Sequence, residues 1–246
     1  MYNITCKEVL GSDFELNLFA ISDLHLSFKS KKIMDIFGEE WINHFEKIKF
    51  NWLNSIKKED YILLCGDFSW AMNLNDAKPD LEWLDSLPGK KILIKGNHDF
   101  WWSGIKKLNS MYESISFIQN NHLSFKEYAI CGSRGFNIEV CEGKDEVRHL
   151  KILEREKIRM RLSLDSAVKK GFKKIIYMIH YPPFTPNSEH KNKNIFLDIL
   201  KEYNVDKVLY GHIHGNFENF YDRTFLNTNY YLTSCDYLNF KPLKIL

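Results

Sequence analysis

Five short blocks of the sequence contain residue types that bind divalent cations in proteins. In chain order the blocks are Asp23 with His25, Asp67, Asn97, His180, and His212 with His214. Two neighbouring cations need this mixed shell of carboxylate, amide and imidazole ligands, and each keeps one position open for water and substrate. The blocks therefore predict a binuclear metallohydrolase.

Each block directly follows a short apolar segment of the kind that forms a buried strand. The segments span residues 16–21, 61–65, 91–95, 175–179 and 205–210. Helical periodicity places helices at residues 39–57 and 146–169. On the second helix, the predicted buried stripe consists of Val147, Leu150, Leu153, Ile158, Leu162 and Val168. Strands that alternate with helices predict an α/β fold.

In α/β sheets, ligands bind outside the carboxyl ends of the strands, which is where all five blocks lie. Histidines that only packed in a core would fall inside the apolar segments instead. A glycine precedes three of the candidate ligands, at Gly66, Gly96 and Gly211. Because glycine has no Cβ atom, it permits the tight turns and close backbone approaches of a converging site. Position and spacing therefore favour one shared metal site.

The complete set resembles the calcineurin-like metallophosphoesterases, whose motifs are D-x-H, G-D, G-N-H-D, H and G-H-x-H. The matching residues are Asp23-Leu24-His25, Gly66-Asp67, Gly96-Asn97-His98-Asp99, His180 and Gly211-His212-Ile213-His214. Any one motif alone would be weak evidence, but the ordered set is specific. The resemblance implies an α/β fold in which a two-sheet β-sandwich is flanked by helices, in four αββα layers. It implies one domain over residues 1–246.

The resemblance also implies a role for each residue. One metal would be held by Asp23, His25, Asp67 and His214, and the other by Asp67, Asn97, His180 and His212. Asp67 would bridge the two metals, and a hydroxide between them would attack phosphorus in line. His98 would contact the phosphate and stabilise the transition state or protonate the leaving oxygen, while Asp99 would orient the His98 imidazole.

Nitrogen and oxygen ligands without thiolate suit several metals, and loading in the cell follows availability more than affinity. Manganese is the expected metal, with iron, zinc, cobalt and nickel as alternatives. The chain departs from the protein Ser/Thr phosphatases, because Phe68-Ser69-Trp70 follows Gly66-Asp67 where those enzymes have a D-R-G-like continuation. This departure argues against phosphoprotein substrates, so a small phosphorylated molecule is the expected partner.

Composition narrows the classes of partner further. The 246 residues include 34 basic and 32 acidic side chains, a formal net charge of +2, so nucleic acid and anionic lipid are not indicated. The sequence contains no apolar run of roughly 18 residues, which a membrane span would need, and residues 1–13 lack the apolar stretch of a signal peptide.

The five cysteines form no C-x-x-C pair, which is typical of reduced thiols. The cytoplasm is the expected compartment, and the sequence does not define an oligomeric state.

Arg134 and three tryptophans are further candidates, each with two interpretations. Arg134 lies between two glycines after a predicted strand, so it is either a substrate-binding residue for phosphate or a surface arginine in a hairpin turn. Trp70, Trp101 and Trp102 are candidates to line a pocket and stack on an aromatic leaving group, although tryptophan more often serves packing.

Three hypotheses of function remain open. Metal-dependent hydrolysis of a small phosphate monoester or diester is the leading one. A catalytically silent scaffold of the same fold is the alternative from another class, but such proteins typically lose ligands or the G-N-H-D histidine, which this chain keeps. A phosphodiesterase acting on cyclic nucleotides or nucleic acid is the third, and the low net charge gives it little support.

Overall fold

The computed structural model describes residues 15–30, 32, 34–139, 145–186, 193–220, 222–225 and 227–246. Two sheets form the centre of the molecule. The first contains β1 (Leu18–Ile21), β2 (Tyr61–Leu64), β3 (Lys90–Leu93), β4 (Ile115–Phe117) and β11 (Leu243–Lys244). The second contains β5 (His122–Phe125), β6 (Tyr128–Ser133), β7 (Lys174–Ile179), β8 (Lys207–Tyr210), β9 (Arg223–Phe225) and β10 (Thr228–Leu232).

Parallel pairing dominates the middle of both sheets. The strand order of the first sheet is β11-β1-β2-β3-β4, with an antiparallel pair at the β11 edge. The order of the second is β5-β6-β7-β8-β10-β9, with antiparallel pairs at both edges. Because parallel strands direct their carboxyl ends to the same edge, the loops after the central strands of each sheet gather there.

Alternation along the strands separates the apolar interior into three layers. On β1, Leu18 and Ala20 belong to a central cluster that contains residues of both sheets. Phe19 and Ile21 belong instead to a cluster that the first sheet shares with helices. This period of two is the expected consequence of side chains pointing alternately to the two faces of a strand.

Helices cover the outer face of each sheet. The first sheet packs against α1 (His44–Ser55), α2 (Leu74–Ser86) and the short α3 (Ile105–Leu108). The second sheet packs against α4 (Glu146–Val168) and α5 (Leu197–Glu202). The layers run helix, sheet, sheet, helix, so the predicted α/β sandwich flanked by helices is confirmed.

The two predicted helices exist, with differences in their bounds and faces. The prediction for residues 39–57 was too long, because Asn43 has a left-handed backbone conformation with φ of 54° and separates a 3-10 helix, Glu39–Trp41, from α1. The prediction for residues 146–169 matches α4 to within one residue. Its predicted buried stripe was largely wrong, since Val147, Ile158, Leu162 and Val168 are exposed.

Within the described ranges, no helix combines the length and the apolar character that crossing a bilayer requires.

Candidate metal centre

The predicted ligands lie in the loops that follow the central strands of both sheets. The first sheet contributes Asp23 and His25 after β1, Asp67 after β2 and Asn97 after β3, and the second contributes His180 after β7 and His212 with His214 after β8. Backbone hydrogen bonds join the first two loops, because the Asp23 N–H donates to the Gly66 carbonyl (3.0 Å) and the His25 N–H to the Asp67 carbonyl (3.1 Å).

Two groups of ligand atoms result from this convergence. The first group is Asp23, His25 and His214, and the second group is Asp67, His180 and His212. Within each group the ligand atoms lie within 4.8 Å of one another. Both groups combine imidazole nitrogen with carboxylate oxygen and contain no thiolate, a donor set that suits divalent manganese, iron, zinc, cobalt or nickel.

The second group contains a conflict that a cation would resolve. The Nδ1 atom of His180 lies 3.0 Å from the Cys65 carbonyl, so Nδ1–H donates to it. In the neutral ring, the lone pair of Nε2 then faces the Asn97 amide oxygen at 2.7 Å and the Asp67 carboxylate at 3.4 Å. Three acceptors pointing at one another need a proton or a metal between them, so these residues fit a cation site.

The first group has the same character. The Nδ1–H of His214 donates to the Asp236 carboxylate at 3.0 Å, which leaves its Nε2 as the acceptor. That Nε2 lies 3.3 Å from the Nε2 of His25 and 3.8 Å from an oxygen of Asp23. The His25 Nε2 is in turn 3.9 Å from Asp67. The ligand atoms of this group therefore also converge on one point.

Electrostatics keep Asp67 and His212 in the protonation states that ligation needs, whereas His180 would release its proton to a bound cation. Burial opposes ionisation of Asp67, but the charge and hydrogen bond of His180 overcome it and lower the pKa of the carboxyl. Burial alone would lower the pKa of His180, whereas Asp67 raises it to about 9. Burial, and then the charge of His180, lower the pKa of His212 to about 3. Asp67 is thus ionised and the His212 ring neutral near pH 7.

Hydrogen bonds fix the carboxylate of Asp23, which is completely buried. One oxygen accepts from the Ser22 hydroxyl at 2.5 Å and from the Ser234 hydroxyl at 3.0 Å. The backbone N–H of His212 donates to both oxygens at 3.1 Å. Asp23 therefore ties the loops after β1, β8 and β10 to one another.

Four of the predicted ligands have a strained backbone conformation. Positive φ angles occur at Asp23 (58°), His25 (46°), Asp67 (51°) and His212 (72°). A residue other than glycine is uncommon in this region, and each such conformation costs about 1–3 kcal/mol. Strain of this kind collects where loops are shaped to aim side chains at a site.

Close backbone approach explains two of the glycines that precede ligands. A Cβ atom on Gly96 would overlap the Asp67 side chain, and one on Gly211 would overlap the Asp23 carboxylate. Any larger residue at either position would push a ligand loop away from the centre.

His98 lies at the rim of the two groups. Its backbone N–H donates to Asp67 at 2.8 Å, and its half-buried ring packs against Trp70 with 4.2 Å between centroids. Burial lowers the pKa of His98, so the ring is neutral near pH 7. A neutral imidazole in this position has one N–H available for a phosphate oxygen.

Asp99 has partners other than the one expected. It accepts from the backbone N–H groups of Gly96 (2.7 Å), Asp67 (2.9 Å), Phe68 (3.0 Å) and Ser69 (3.2 Å), and from the indole N–H of Trp101 (2.9 Å). None of the hydrogen bonds described for Asp99 involves His98. Its geometry joins the loop after β2 to the loop after β3, whereas an orienting contact to the His98 ring was predicted.

A cavity of about 290 Å³ opens in front of the ligands. His25, Asp67, His98, His212 and His214 line its floor. Its walls are mostly apolar and include Met34, Phe37, Trp41 and Trp70. The carboxylates of Glu40 and Asp236 also line the cavity. The ammonium of Lys32 lies 3.9 Å from the centroid of the Trp70 ring. Aromatic and charged groups of both signs thus lie near the ligand atoms.

Of the other candidates, the three tryptophans and Arg134, only Trp70 lies at the cavity in front of the ligands. Trp70 lines the cavity, whereas Trp101 is 2% exposed and packs in the core. Trp102 and Arg134 line a different cavity. The Arg134 guanidinium lies 3.4 Å from the Glu156 carboxylate. The backbone carbonyl of Arg134 accepts from the N–H groups of His180 and Tyr181, each at 3.1 Å.

Sequence reasoning missed the residues that orient the ligands. Asp236 fixes the ring of His214, and the Cys65 carbonyl fixes the ring of His180. A backbone carbonyl leaves no trace in residue type. Asp236 follows strand β10, so its position after a strand was the one signal that could have identified it.

Comparison with known proteins is consistent with this geometry. The sequence profile of the calcineurin-like phosphoesterases matches residues 16–216. Among proteins with curated descriptions, a search finds no match to the chain.

Solved structures share the fold at low sequence identity. A phosphopantetheinyl hydrolase from Mycobacterium tuberculosis is 14% identical, with a TM-score of 0.58 over 94% of this chain and 96% of that one. A protein of unknown function from Aquifex aeolicus is 20% identical, with a TM-score of 0.52 over 93% and 95%. A protein from Thermus thermophilus is 13% identical, with a TM-score of 0.53 over 88% of each chain.

Proposed function

The chain belongs to the calcineurin-like phosphoesterase family, and from this premise we propose that it hydrolyses a phosphate ester at a binuclear divalent-metal centre. The observation that carries the proposal is the pair of ligand groups at adjoining sheet edges. Within each group, the ligand atoms lie within 4.8 Å of one another. Manganese is the metal that we expect to support activity.

The ligand assignments that we propose follow these groups. Asp23, His25 and His214 would hold one metal, and Asn97, His180 and His212 the other, with Asp67 between them. Two cations bound there would lower the pKa of a water molecule and polarise the phosphoryl oxygens. The support for a shared Asp67 is that its carboxylate lies 3.9 Å from the His25 Nε2 and 3.4 Å from the His180 Nε2.

His98 is the residue that we propose acts on the substrate itself. Its ring lines the cavity beside Asp67 without belonging to either ligand group. We propose that its N–H donates to a phosphoryl oxygen or to the leaving oxygen. Asp99 would serve as a positioning residue, because it accepts from the backbone N–H groups of Asp67 and Gly96 and so holds their two loops together.

The walls of the cavity favour a small phosphorylated molecule with an apolar or aromatic leaving group. Met34, Phe37 and Trp70 provide the apolar surface. Lys32 adds a positive charge beside the Trp70 ring, where it would attract a phosphate dianion.

Two matched chromogenic esters test the proposal. An aryl phosphate monoester and the corresponding diester are supplied with manganese to the native protein and to His98→Ala. We expect the native protein to hydrolyse at least one, and the variant to keep its metals while its rate falls by roughly 10²-fold. A variant that hydrolyses as fast as the native protein, at equal metal content, would exclude the proposed role of His98.

The cytoplasm remains the compartment that we expect for this reaction. Cys65, Cys131 and Cys235 are free and buried in the described part of the chain, as in proteins of reducing compartments. Cys6 and Cys141 lie outside the described residues.

A further inference from the structure

A second cavity, of about 280 Å³, lies between the loop after β3, the end of β6 and helix α4. Its charged lining residues are Lys95, Arg134, Arg155, Glu156 and Arg159. Ser133, Asn120 and Gln119 add polar groups, and Trp102 adds an aromatic surface. Among the described residues, it shares none with the cavity in front of the ligand groups.

Positive charge exceeds negative charge in this second cavity. Arg134 and Arg159 share one oxygen of the buried Glu156, at 3.4 Å and 2.7 Å. In the described ranges, Lys95 and Arg155 form no ion pair. The four cationic side chains are therefore offset by a single carboxylate. Asp99 also acts on Lys95 electrostatically, but its carboxylate is buried and taken up by backbone N–H groups.

The guanidinium groups retain unused hydrogen-bonding capacity. An arginine has five N–H donors, and the hydrogen bond described for the Arg134 side chain is a long one to Glu156. The Arg134 Nε atom and the Glu156 Oε2 atom are both buried without a described partner. An unpaired buried polar atom is costly, so the protein alone does not fully satisfy the Arg134–Glu156 pair in this wall.

Two residues of the second cavity are linked to proposed ligands of the second metal, one through the chain and one through a hydrogen bond. Lys95 precedes Gly96-Asn97 in the loop after β3. The Arg134 carbonyl accepts from the backbone of His180. A ligand in the second cavity would therefore contact residues that position Asn97 and His180.

We propose that the second cavity is a phosphate-binding site separate from the metal centre. The excess of positive charge suits a doubly charged ligand such as phosphate better than a ligand that carries one carboxylate. The cationic groups approach from two strand ends and a helix, which suits the tetrahedral oxygens of phosphate. The ligand is either free phosphate or the phosphate group of a small molecule whose organic part lies on Trp102. The site does not depend on the proposed hydrolysis.

Calorimetric titration of the full chain with inorganic phosphate and with glycerol phosphate tests the site. The protein is titrated with its metals bound and again after chelation, since a phosphate bound at the metal centre is lost with the metals. The comparison is between Arg155→Gln and Arg148→Gln, which remove the same charge from the same helix. Arg148 is exposed and does not line the cavity.

We expect one binding event to persist after chelation. Arg155→Gln should weaken it by about 10-fold, as for loss of one charge-assisted hydrogen bond, and Arg148→Gln should change it by less than about twofold.

Binding of inorganic phosphate would identify the free ion as a ligand, and binding of glycerol phosphate alone would identify an ester. Binding of neither to the native protein, or equal weakening in both variants, would overturn the proposal. A crystal grown with the bound probe locates it independently of any variant.

Discussion

Asp67 is the residue on which both ligand groups depend most directly. It lies within 3.9 Å of ring nitrogens from His25 and His180, and its other oxygen accepts from the His98 backbone. Asp67→Asn keeps the shape of the side chain and removes the charge. We expect metal content and hydrolysis to fall together, because a shared carboxylate contributes to both sites. Metal analysis and rate measurement on the same sample check this, and normal activity in the variant would refute the bridging assignment.

Asp236 offers a test of a residue that the sequence motifs did not reveal. Its carboxylate accepts from Nδ1–H of His214, which orients the ring and raises the basicity of Nε2. We expect Asp236→Asn to weaken metal binding by about 10–100-fold. The matched control is Asp198→Asn on the exposed side of α5. Competition against a chelating dye measures both affinities, and equal affinities in the two variants would mean that Asp236 does not support the site.

The sequence motifs identified the candidate ligands that the structure brings together, but they did not identify the residues that orient them. Asp23, His180 and His214 carry their chemistry in the side chain and stand at strand ends. The Cys65 carbonyl and Asp236 act through contacts that exist only after the two sheets meet. Asp99 was predicted from its neighbour His98, whereas its real hydrogen bonds reach back to the loop after β2.

Elements were predicted where local patterns determine them. The apolar segments became central strands because burial on both faces requires a continuous apolar run. For helix α4, the apolar periodicity predicted the wrong buried face, since the buried residues include Glu156 and Ser163 while Ile158 is exposed. Glu156 can be buried because Arg134 and Arg159 pair with its carboxylate. Tertiary contacts therefore decided which face of this helix is buried.

Strand β3 contains a buried lysine that provides a test at the scale of one element. Lys91 is 1% exposed, and its ammonium donates to the Leu87 carbonyl and to the Ser114 hydroxyl (3.2 Å). Burial lowers its pKa from the ordinary 10.5 to about 8. Between these values the unfolded chain binds more protons than the folded one, so the contribution of Lys91 to stability rises with pH across this window.

We expect the free energy of unfolding of Lys91→Met, relative to that of the native protein, to be highest below about pH 8. This relative stability should fall as the pH rises from about 8 towards 10.5, because the native protein then no longer buries a charge. Urea unfolding at several pH values measures the difference. Lys90→Met is the control, since Lys90 is the exposed neighbour on the same strand. A difference that does not change with pH would mean that Lys91 titrates normally in the folded protein.

At the scale of the whole molecule, the ligand groups connect the two sheets. Asp23 and His25 follow a strand of the first sheet, and His214 follows a strand of the second. The second group likewise joins Asp67 of the first sheet to His180 and His212 of the second. Each metal would therefore hold together loops from both halves of the sandwich, in addition to the apolar layer between the sheets.

This geometry predicts that metal binding stabilises the fold as a whole. A ligand at about 100 times its dissociation constant adds about 2.7 kcal/mol, and a chain of this size gains about 2–4 °C in Tm per kcal/mol. We therefore expect manganese to raise the Tm of the chelator-treated native protein by roughly 5–10 °C. Asp67→Asn, which loses the shared carboxylate, should show a clearly smaller shift. Thermal unfolding followed by circular dichroism measures both, and an equal shift in the two proteins would mean that manganese stabilises the chain at a different place.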